Sequence, residues 1–214
     1  MTKLILATNN KNKLREIHEM LAGTGIHAVS LAEADISAEI AETGTTFAEN
    51  AAIKAQTISD MMLERGECCY VLADDSGLAV DALDGAPGVF SARWAGENAS
   101  DAELIAKLIT EMQDVPDGQR GARFVCVMCL ITPAGKQHFF TGTVEGTILH
   151  KARGKKGFGY DPVFAYQGCS FAEIPAAKKN AVSHRHNALV QVENFFTGHP
   201  SAAGRNRNAE EDAE

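Results

Sequence analysis

Val71, Leu72 and Ala73 run straight into Asp74, Asp75, Ser76 and Gly77 before Leu78 resumes the apolar pattern. A short, unbroken apolar run of this kind reads as a strand buried in a sheet. The Ser-Gly pair reads as a turn, so the stretch predicts a strand that delivers two acids to the edge of a sheet. Open α/β sheets bind their ligands just beyond strand ends. Side chains on an extended backbone alternate between faces, so Asp74 and Asp75 do not face one site while the strand continues. One acid is then structural and the other chemical, and Asp75, beside the turn, is the chemical candidate. A solvated acidic turn is the plain alternative for this stretch taken alone.

Upstream, Leu4, Ile5, Leu6 and Ala7 form a short apolar strand. Thr8, Asn9, Asn10, Lys11, Asn12 and Lys13 then lead into a helix with Leu14, Ile17 and Leu21 on one face. A strand, a polar turn and a helix N-terminus together make an anion site. The glycines of a P-loop are absent, and Asn9 or Asn12, which tolerate left-handed backbone angles, take part of their place. An ordinary capped helix is the alternative. Residues 23–41 predict a second strand and a loop. Thr46 and Glu49 have the spacing of a capping box, for a helix reaching about Arg65 with Phe47, Ala51, Ile58 and Met62 along one side. Glu42 lies just ahead of it, placed to approach a metal. Lys54 falls two turns on, within reach of a ligand at the helix start.

Residues 78–83 read as a further strand and 84–88 as a turn. Ser100 and Glu103 cap a third helix carrying Leu104, Ile105, Leu108 and Ile109. Residues 123–131 and 137–144 read as a hairpin around Pro133 and Gly135, which makes the sheet mixed. Residues 151–162 hold Lys151, Arg153, Lys155 and Lys156 with three glycines, followed by Phe158, Gly159, Tyr160 and Asp161. Glycine lets backbone approach a ligand closely, and Phe158 or Tyr160 can stack on a planar base. A mobile basic loop is the alternative. Residues 178–186 open the last helix, which brings Lys179, Ser183 and His184 near one another and places Arg185 beside them; Ala188, Leu189, Val192 and Phe196 form its buried side.

The formal net charge of −8 argues against a nucleic-acid polymer as partner, since that needs a basic face. No secretory signal or membrane span is readable, so the expected location is the cytoplasm. The five cysteines are not laid out as a disulfide framework. Cys126 and Cys129 sit in an apolar strand on opposite faces, as buried thiols rather than metal ligands.

Five of these stretches, in order, match one family. They are Ala7 to Asn10 with Lys13; Glu42, Thr43 and Gly44 with Thr46, Phe47, Glu49, Asn50, Ala51 and Lys54; Ala73 to Leu78 with Gly85 to Gly88 and Ser91 to Arg93; Gly157 to Pro162 with Phe164; and Lys179 and Asn180 with Ser183 to Arg185. The chain resembles the inosine triphosphate pyrophosphatases from residue 4 to about residue 196. Two positions depart from the family pattern: Ala41 stands where an acid is often found, and Lys178 where a glutamate is common.

The resemblance implies an α/β fold with an elongated mixed β-sheet, flanking helices and two lobes around a central nucleotide cleft. It implies a single such domain over residues 1–196, usually in a homodimer, while the Gly-, Asn- and Glu-rich composition of residues 197–214 by itself predicts a disordered tail. It further implies Mg²⁺-dependent hydrolysis of ITP, dITP or XTP to the monophosphate and pyrophosphate, a cleansing of the nucleotide pool. Thr8, Asn9, Asn10, Lys11, Asn12 and Lys13 would then cradle the triphosphate, with Lys54, Ser76 and Lys179 also on the substrate. Asp75, as first choice, and Glu42 would hold Mg²⁺, while the acid matching Asp75 is also the family's general base. Phe158, Gly159, Tyr160 and Asp161 would meet the base, with His184 and Arg185 donating to its six-position carbonyl. The same fold acting on pyrimidine or methylated nucleotides, and a nucleotide sensor without turnover, stay open as readings.

Overall fold

The computed structural model describes residues 2–198. Its seven strands form one mixed sheet in the order β2-β1-β3-β4-β5-β6-β7. Strand β1 (Thr2–Leu6), helix α1 (Lys11–Leu21) and strand β2 (Ile26–Ser30) make a first parallel unit. Helix α2 (Phe47–Glu64) carries the chain back to β3 (Tyr70–Val80), on the other side of β1 and again parallel to it. The chain therefore leaves β1 in one direction and returns on the other, which creates a switch point at the end of β1. After α3 (Asp101–Glu111), strands β4 (Gly121–Ile131), β5 (Gln137–Ile148), β6 (Phe164–Tyr166) and β7 (Cys169–Ser170) add on antiparallel. Helices α4 (Ala176–Asn180) and α5 (His184–Thr197) close the described chain.

Local chemistry accounts for the helix boundaries. Thr46 with Glu49 and Ser100 with Glu103 form complete capping boxes, each satisfying backbone N–H groups that a helix start leaves open. The Asn10 side chain caps α1 and the Ser183 side chain caps α5. Gly198 ends α5 at φ 71°, a left-handed angle that glycine adopts without a Cβ clash.

The strands bury both faces. Ile5, Val71, Ala73 and Cys129 pack with Ile58 and Met62 of α2 on one side. Leu4, Leu6, Leu72, Cys126 and Met128 pack with Ile17 of α1 and Leu189 of α5 on the other. A third core joins Leu78, Phe124 and Val144 to Leu104 and Leu108 of α3 and to Phe164 and Phe171. Cys126 and Cys129 thus fall on opposite faces, as buried thiols; burial pushes the first up to about 12 and the second to about 11.

Three sequence expectations change. Asp74 and Asp75 do not mark a strand end: β3 continues through Ser76 and Gly77 to Val80, paired with β4 from Val71 opposite Ile131 to Val80 opposite Ala122. What ends is its neighbour. β1 pairs with β3 only from Tyr70 to Leu72, so beyond Leu72 that edge of β3 has lost its strand partner. The separate strand expected at 78–83 is the end of β3 followed by a single 3-10 turn, Asp81–Leu83. The last helix is two helices, because Ser183 starts a new one with its own cap. Phe196 is only half-buried, edge-on to Tyr70. The expected tail lies, apart from Thr197 and Gly198, outside the described residues.

Candidate active site

A cleft of about 400 Å³ opens where β1 stops and β3 runs on. That volume is in the range of sites for small organic ligands. Ala7, Thr8, Asn9, Asn10 and Lys13 line one part of it, and Phe158, Asp161, Lys179, His184 and Arg185 another. Asp75, Ser76, Gly77 and Leu78 line it as well. The open edge of β3 lets groups from both faces of the sheet reach this one space: Lys13 comes from α1 and Lys54 from α2.

In the first part the β1–α1 turn is tightly built. Asn10 Oδ1 accepts the N–H groups of Asn12 and Lys13 at 3.0 and 3.2 Å, Thr8 Oγ1 accepts the Asn10 N–H at 3.2 Å, and Asn9 Nδ2 donates to the Ala38 carbonyl at 3.0 Å. Asparagine therefore shapes the turn through side-chain capping. Lys11 and Asn12, expected on the substrate, do not line the cleft; Lys11 is exposed and Asn12 Oδ1 receives Arg15.

The two acids divide as alternation requires. Asp74 points to the α1 and α5 side and is outside the cleft lining; its Oδ2 lies 2.9 Å from Lys13 Nζ and 3.4 Å from Arg185 Nη2 and accepts the Ser76 hydroxyl at 3.2 Å. Burial opposes its ionisation, but Lys13 and Arg185 outweigh that and hold the carboxyl far below the usual carboxylate range. Asp75 points to the α2 side and into the cleft. Its Oδ2 accepts Asn50 Nδ2 at 3.1 Å, its Oδ1 accepts the Ser76 N–H at 3.0 Å, and Lys54 Nζ lies 3.6 Å away. Burial is the larger influence here and raises its pKa despite Lys54 and Lys13.

Glu42 approaches the same place from the loop before α2. Lys54 Nζ donates to its Oε1 at 2.6 Å, and Arg93 stands 3.9 Å from its other oxygen. Burial disfavours the Lys54 charge, yet Asp74, Asp75 and Glu42 raise its pKa above the ordinary lysine value. Asp75 and Glu42 thus supply only oxygen donors around a shared cation. Among the described residues no cluster of three His, Cys, Asp or Glu stands ready to enclose a metal. The pair instead suits an ion that completes its shell with water and ligand oxygens, as Mg²⁺ does.

The other part is a buried ionic lattice. Arg185, 1% exposed, donates to Glu16 Oε2 and, at 3.1 Å, to Ser76 Oγ. Lys179 Nζ donates to Glu16 Oε1 at 3.1 Å and to Asp161 Oδ2 at 2.6 Å, and lies 4.8 Å from the centre of the Phe158 ring. Burial raises the Asp161 pKa against the pull of Lys179. Buried charges paired in this way tolerate little editing, since removing one leaves another uncompensated. His184 stacks on Phe124 with ring centroids 4.9 Å apart. Burial, then Arg185 and Lys179, depress its pKa well below the usual histidine value.

The basic loop ahead of this part is pinned. Phe158 N–H donates to Asp161 at 2.9 Å, Gly159 N–H to Asp101 at 2.8 Å, and the buried Tyr160 hydroxyl to the Ser91 carbonyl at 3.0 Å. Tyr160 is therefore an anchor, and Phe158 is the aromatic ring left half-buried at the cleft. Sequence reasoning passed over Glu16 and Asp101, and carried Asn50 and Ser91 only as members of the matching motifs, without a role of their own. For Glu16 the only signal was a charge among the apolar positions of α1.

The comparisons with known proteins follow the same residues. The Ham1 family matches residues 4–195. The chain is 48% identical over 199 residues to the dITP/XTP pyrophosphatase of Oceanobacillus iheyensis, covering 92% of this chain and 98% of that protein. It is 49% identical over 195 residues to the protein of the same name from Listeria monocytogenes, covering 90% and 94%. Among solved structures, a HAM1 protein from Coxiella burnetii superposes with a TM-score of 0.82 at 40% identity, over 92% of this chain and all of that one. A nucleoside-triphosphatase (dITP/XTP pyrophosphatase) from Mycobacterium abscessus gives 0.70 at 41% identity, over 89% and 98%. The match runs from the first strand to the last helix and takes in every element that lines the cleft, in agreement with the resemblance drawn from the five motifs: this chain belongs to the Ham1 family.

Proposed function

We propose that the protein hydrolyses ITP, dITP and XTP to the nucleoside monophosphate and pyrophosphate. One observation carries the reading: a single cleft is lined together by the β1–α1 turn with Lys13, by the aromatic Phe158 and by the carboxylate of Asp75. A purine nucleoside triphosphate offers a group to each: anionic phosphates, a planar base and a phosphorus open to an activated water. The names printed for the relatives agree with it.

The polyanionic phosphates would lie against the α1 N–H groups, Lys13 and Lys54, and the base against Phe158. Water attacks the α-phosphorus, the bond to the α–β bridging oxygen breaks, and pyrophosphate leaves with that oxygen. Asp75, inside the cleft and with its pKa raised by burial, is the carboxylate placed to take the water's proton. Asp75 and Glu42 would hold Mg²⁺, which when bound neutralises phosphate charge and lowers the pKa of coordinated water. Lys54 lies between the two acids and offsets their charge.

Selectivity rests on the six-position of the purine. Hypoxanthine and xanthine present an acceptor there and adenine a donor. A site built of buried donors leaves them unpaired against adenine, a mismatch that can cost about 10⁴ in kcat/KM. Arg185 Nε, buried and without a protein partner among the described residues, is one such donor.

The reading extends, on the family resemblance, to a cytoplasmic homodimer; among the described residues no helix is long and apolar enough to cross a membrane. The test is release of pyrophosphate from a nucleoside triphosphate panel with and without Mg²⁺. Pyrophosphate from ITP and XTP far faster than from ATP is the expected result. Orthophosphate as the sole phosphorus product, or equal turnover of ATP, overturns it.

A further inference from the structure

Asn50 is fully buried in the first turn of α2, where a polar side chain costs stability unless each of its groups is satisfied. Its two functional atoms face different parts of the site. Oδ1 accepts the Gly44 N–H at 2.8 Å, and Nδ2 donates to Asp75 Oδ2 at 3.1 Å. The backbone N–H of Gly44 can only donate, so the orientation of the amide is fixed: oxygen to the loop, nitrogen to the carboxylate. Gly44 stands two residues after Glu42. Its fit is close, since a Cβ there would come within 2.7 Å of both Asn50 Oδ1 and Glu49 Cβ.

We infer that Asn50 is a positioning residue that sets the two acids of the site, Asp75 directly and Glu42 through the loop at Gly44, in one mutual geometry. The inference rests on the pyrophosphatase reading. Among the described residues, the amide is the one side chain that bonds both to Asp75 and to the loop bearing Glu42 without carrying charge. Lys54 also bridges the acids, but an ammonium on a flexible stem attracts without fixing orientation. Asn50 instead sits on a helix whose own cap is closed by Thr46 and Glu49, so its position is inherited from a rigid element. It does not itself line the cleft and, on this reading, does not touch the substrate. Its effect passes through Asp75.

Three variants separate this role from plain structural support. Asn50→Asp keeps the acceptor toward Gly44 and loses the donor toward Asp75. Gly44→Ala keeps the donor and displaces the loop. Small displacements of reacting groups cost up to about a hundredfold in rate. Each single variant is therefore expected to lower kcat for ITP by roughly ten- to a hundredfold, with KM changed less than about threefold. The exchange Asn50→Asp with Asp75→Asn restores one donor and one acceptor across the pair. It should recover the thermal midpoint lost in Asn50→Asp while remaining inactive, a readout independent of turnover.

Wild-type kcat and KM in soluble Asn50→Asp or Gly44→Ala, at a temperature where both are folded, would overturn the inference. So would an exchange variant that melts no higher than Asn50→Asp. If Asn50→Asp is insoluble, Gly44→Ala decides alone. Wild-type protein that releases no pyrophosphate from any purine triphosphate rejects the pyrophosphatase reading instead, and is told apart by that control.

Discussion

Lys13 and Asp74 are joined at 2.9 Å beneath the floor of the cleft, and the same carboxylate oxygen also faces Arg185. One buried acid therefore holds the lysine of α1 and the arginine of α5 side by side. Neither cation is free to move without disturbing the other.

Replacing this acid tests the tie. Asp74→Asn is expected to lower unfolding stability at pH 7 by about 3 kcal/mol, the usual scale for leaving buried cations without their partner. The folded carboxyl has a pKa below its ordinary value of 3.8. Its contribution is therefore complete above that value and disappears as pH falls through the folded pKa. Urea denaturation from pH 7 to pH 3 should show the gap between wild type and variant narrowing only below about pH 4. A constant gap down to pH 3 would deny the linkage.

Asp75 answers a different test. Asp75→Asn should cut kcat at least about a hundredfold, the lower end of what a positioned base contributes. Nucleotide affinity, measured by calorimetry without turnover, should stay within roughly tenfold of wild type, equivalent to about 1.4 kcal/mol, because Lys13 and the α1 N-terminus are untouched. Loss of binding in parallel with turnover would make Asp75 a binding group only.

His184 should stay neutral. Its pKa lies well below 6.5 in the fold, so folded-state stability tied to it is constant above that pH and declines as pH falls beneath it. Nitrogen-detected NMR of the imidazole should show no protonation between pH 8 and about pH 6. A midpoint near the ordinary histidine value would place the ring in water rather than against Phe124.

Gly142 of β5 tests the seat of α5. A Cβ there would collide with the His184 carbonyl and the Ala188 amide nitrogen. Gly142→Ala should cost about 1–3 kcal/mol through overpacking. It should also weaken discrimination between ITP and ATP, because α5 carries His184 and Arg185. Unchanged selectivity in a destabilised variant would separate helix seating from base reading.

Much of this was legible in the chain. Capping pairs announced α2 and α3, because their chemistry is local and three residues apart. The hairpin of β4 and β5 followed from the turn residues around Pro133 and Gly135, and the split of Cys126 from Cys129 from alternation. The continuation of β3 past Ser76 and Gly77 was not legible. Turn-forming residues were overridden by ten paired positions on β4 and by Ser91 Oγ, which accepts the Leu78 N–H at 2.9 Å. Glu16 gave little away because its partners, Lys179 and Arg185, lie 163 and 169 positions distant. Residues 31–46 are shaped partly from outside: Arg65 of the α2 end donates to the carbonyls of Ala34 and Asp35.

The paired acids also make the site unforgiving of strand slippage. A slip of β3 by one position against β4 would carry Asp75 into the place of Asp74, opposite Lys13 and Arg185, and leave Ser76 rather than an acid beside Asn50. What prevents the slip is apolar packing: Val71, Leu72 and Ala73 at one end and Leu78 and Val80 at the other, each packed on one side of the sheet. Fidelity of the acid pair is thus enforced by greasy neighbours along the strand rather than by the acids themselves.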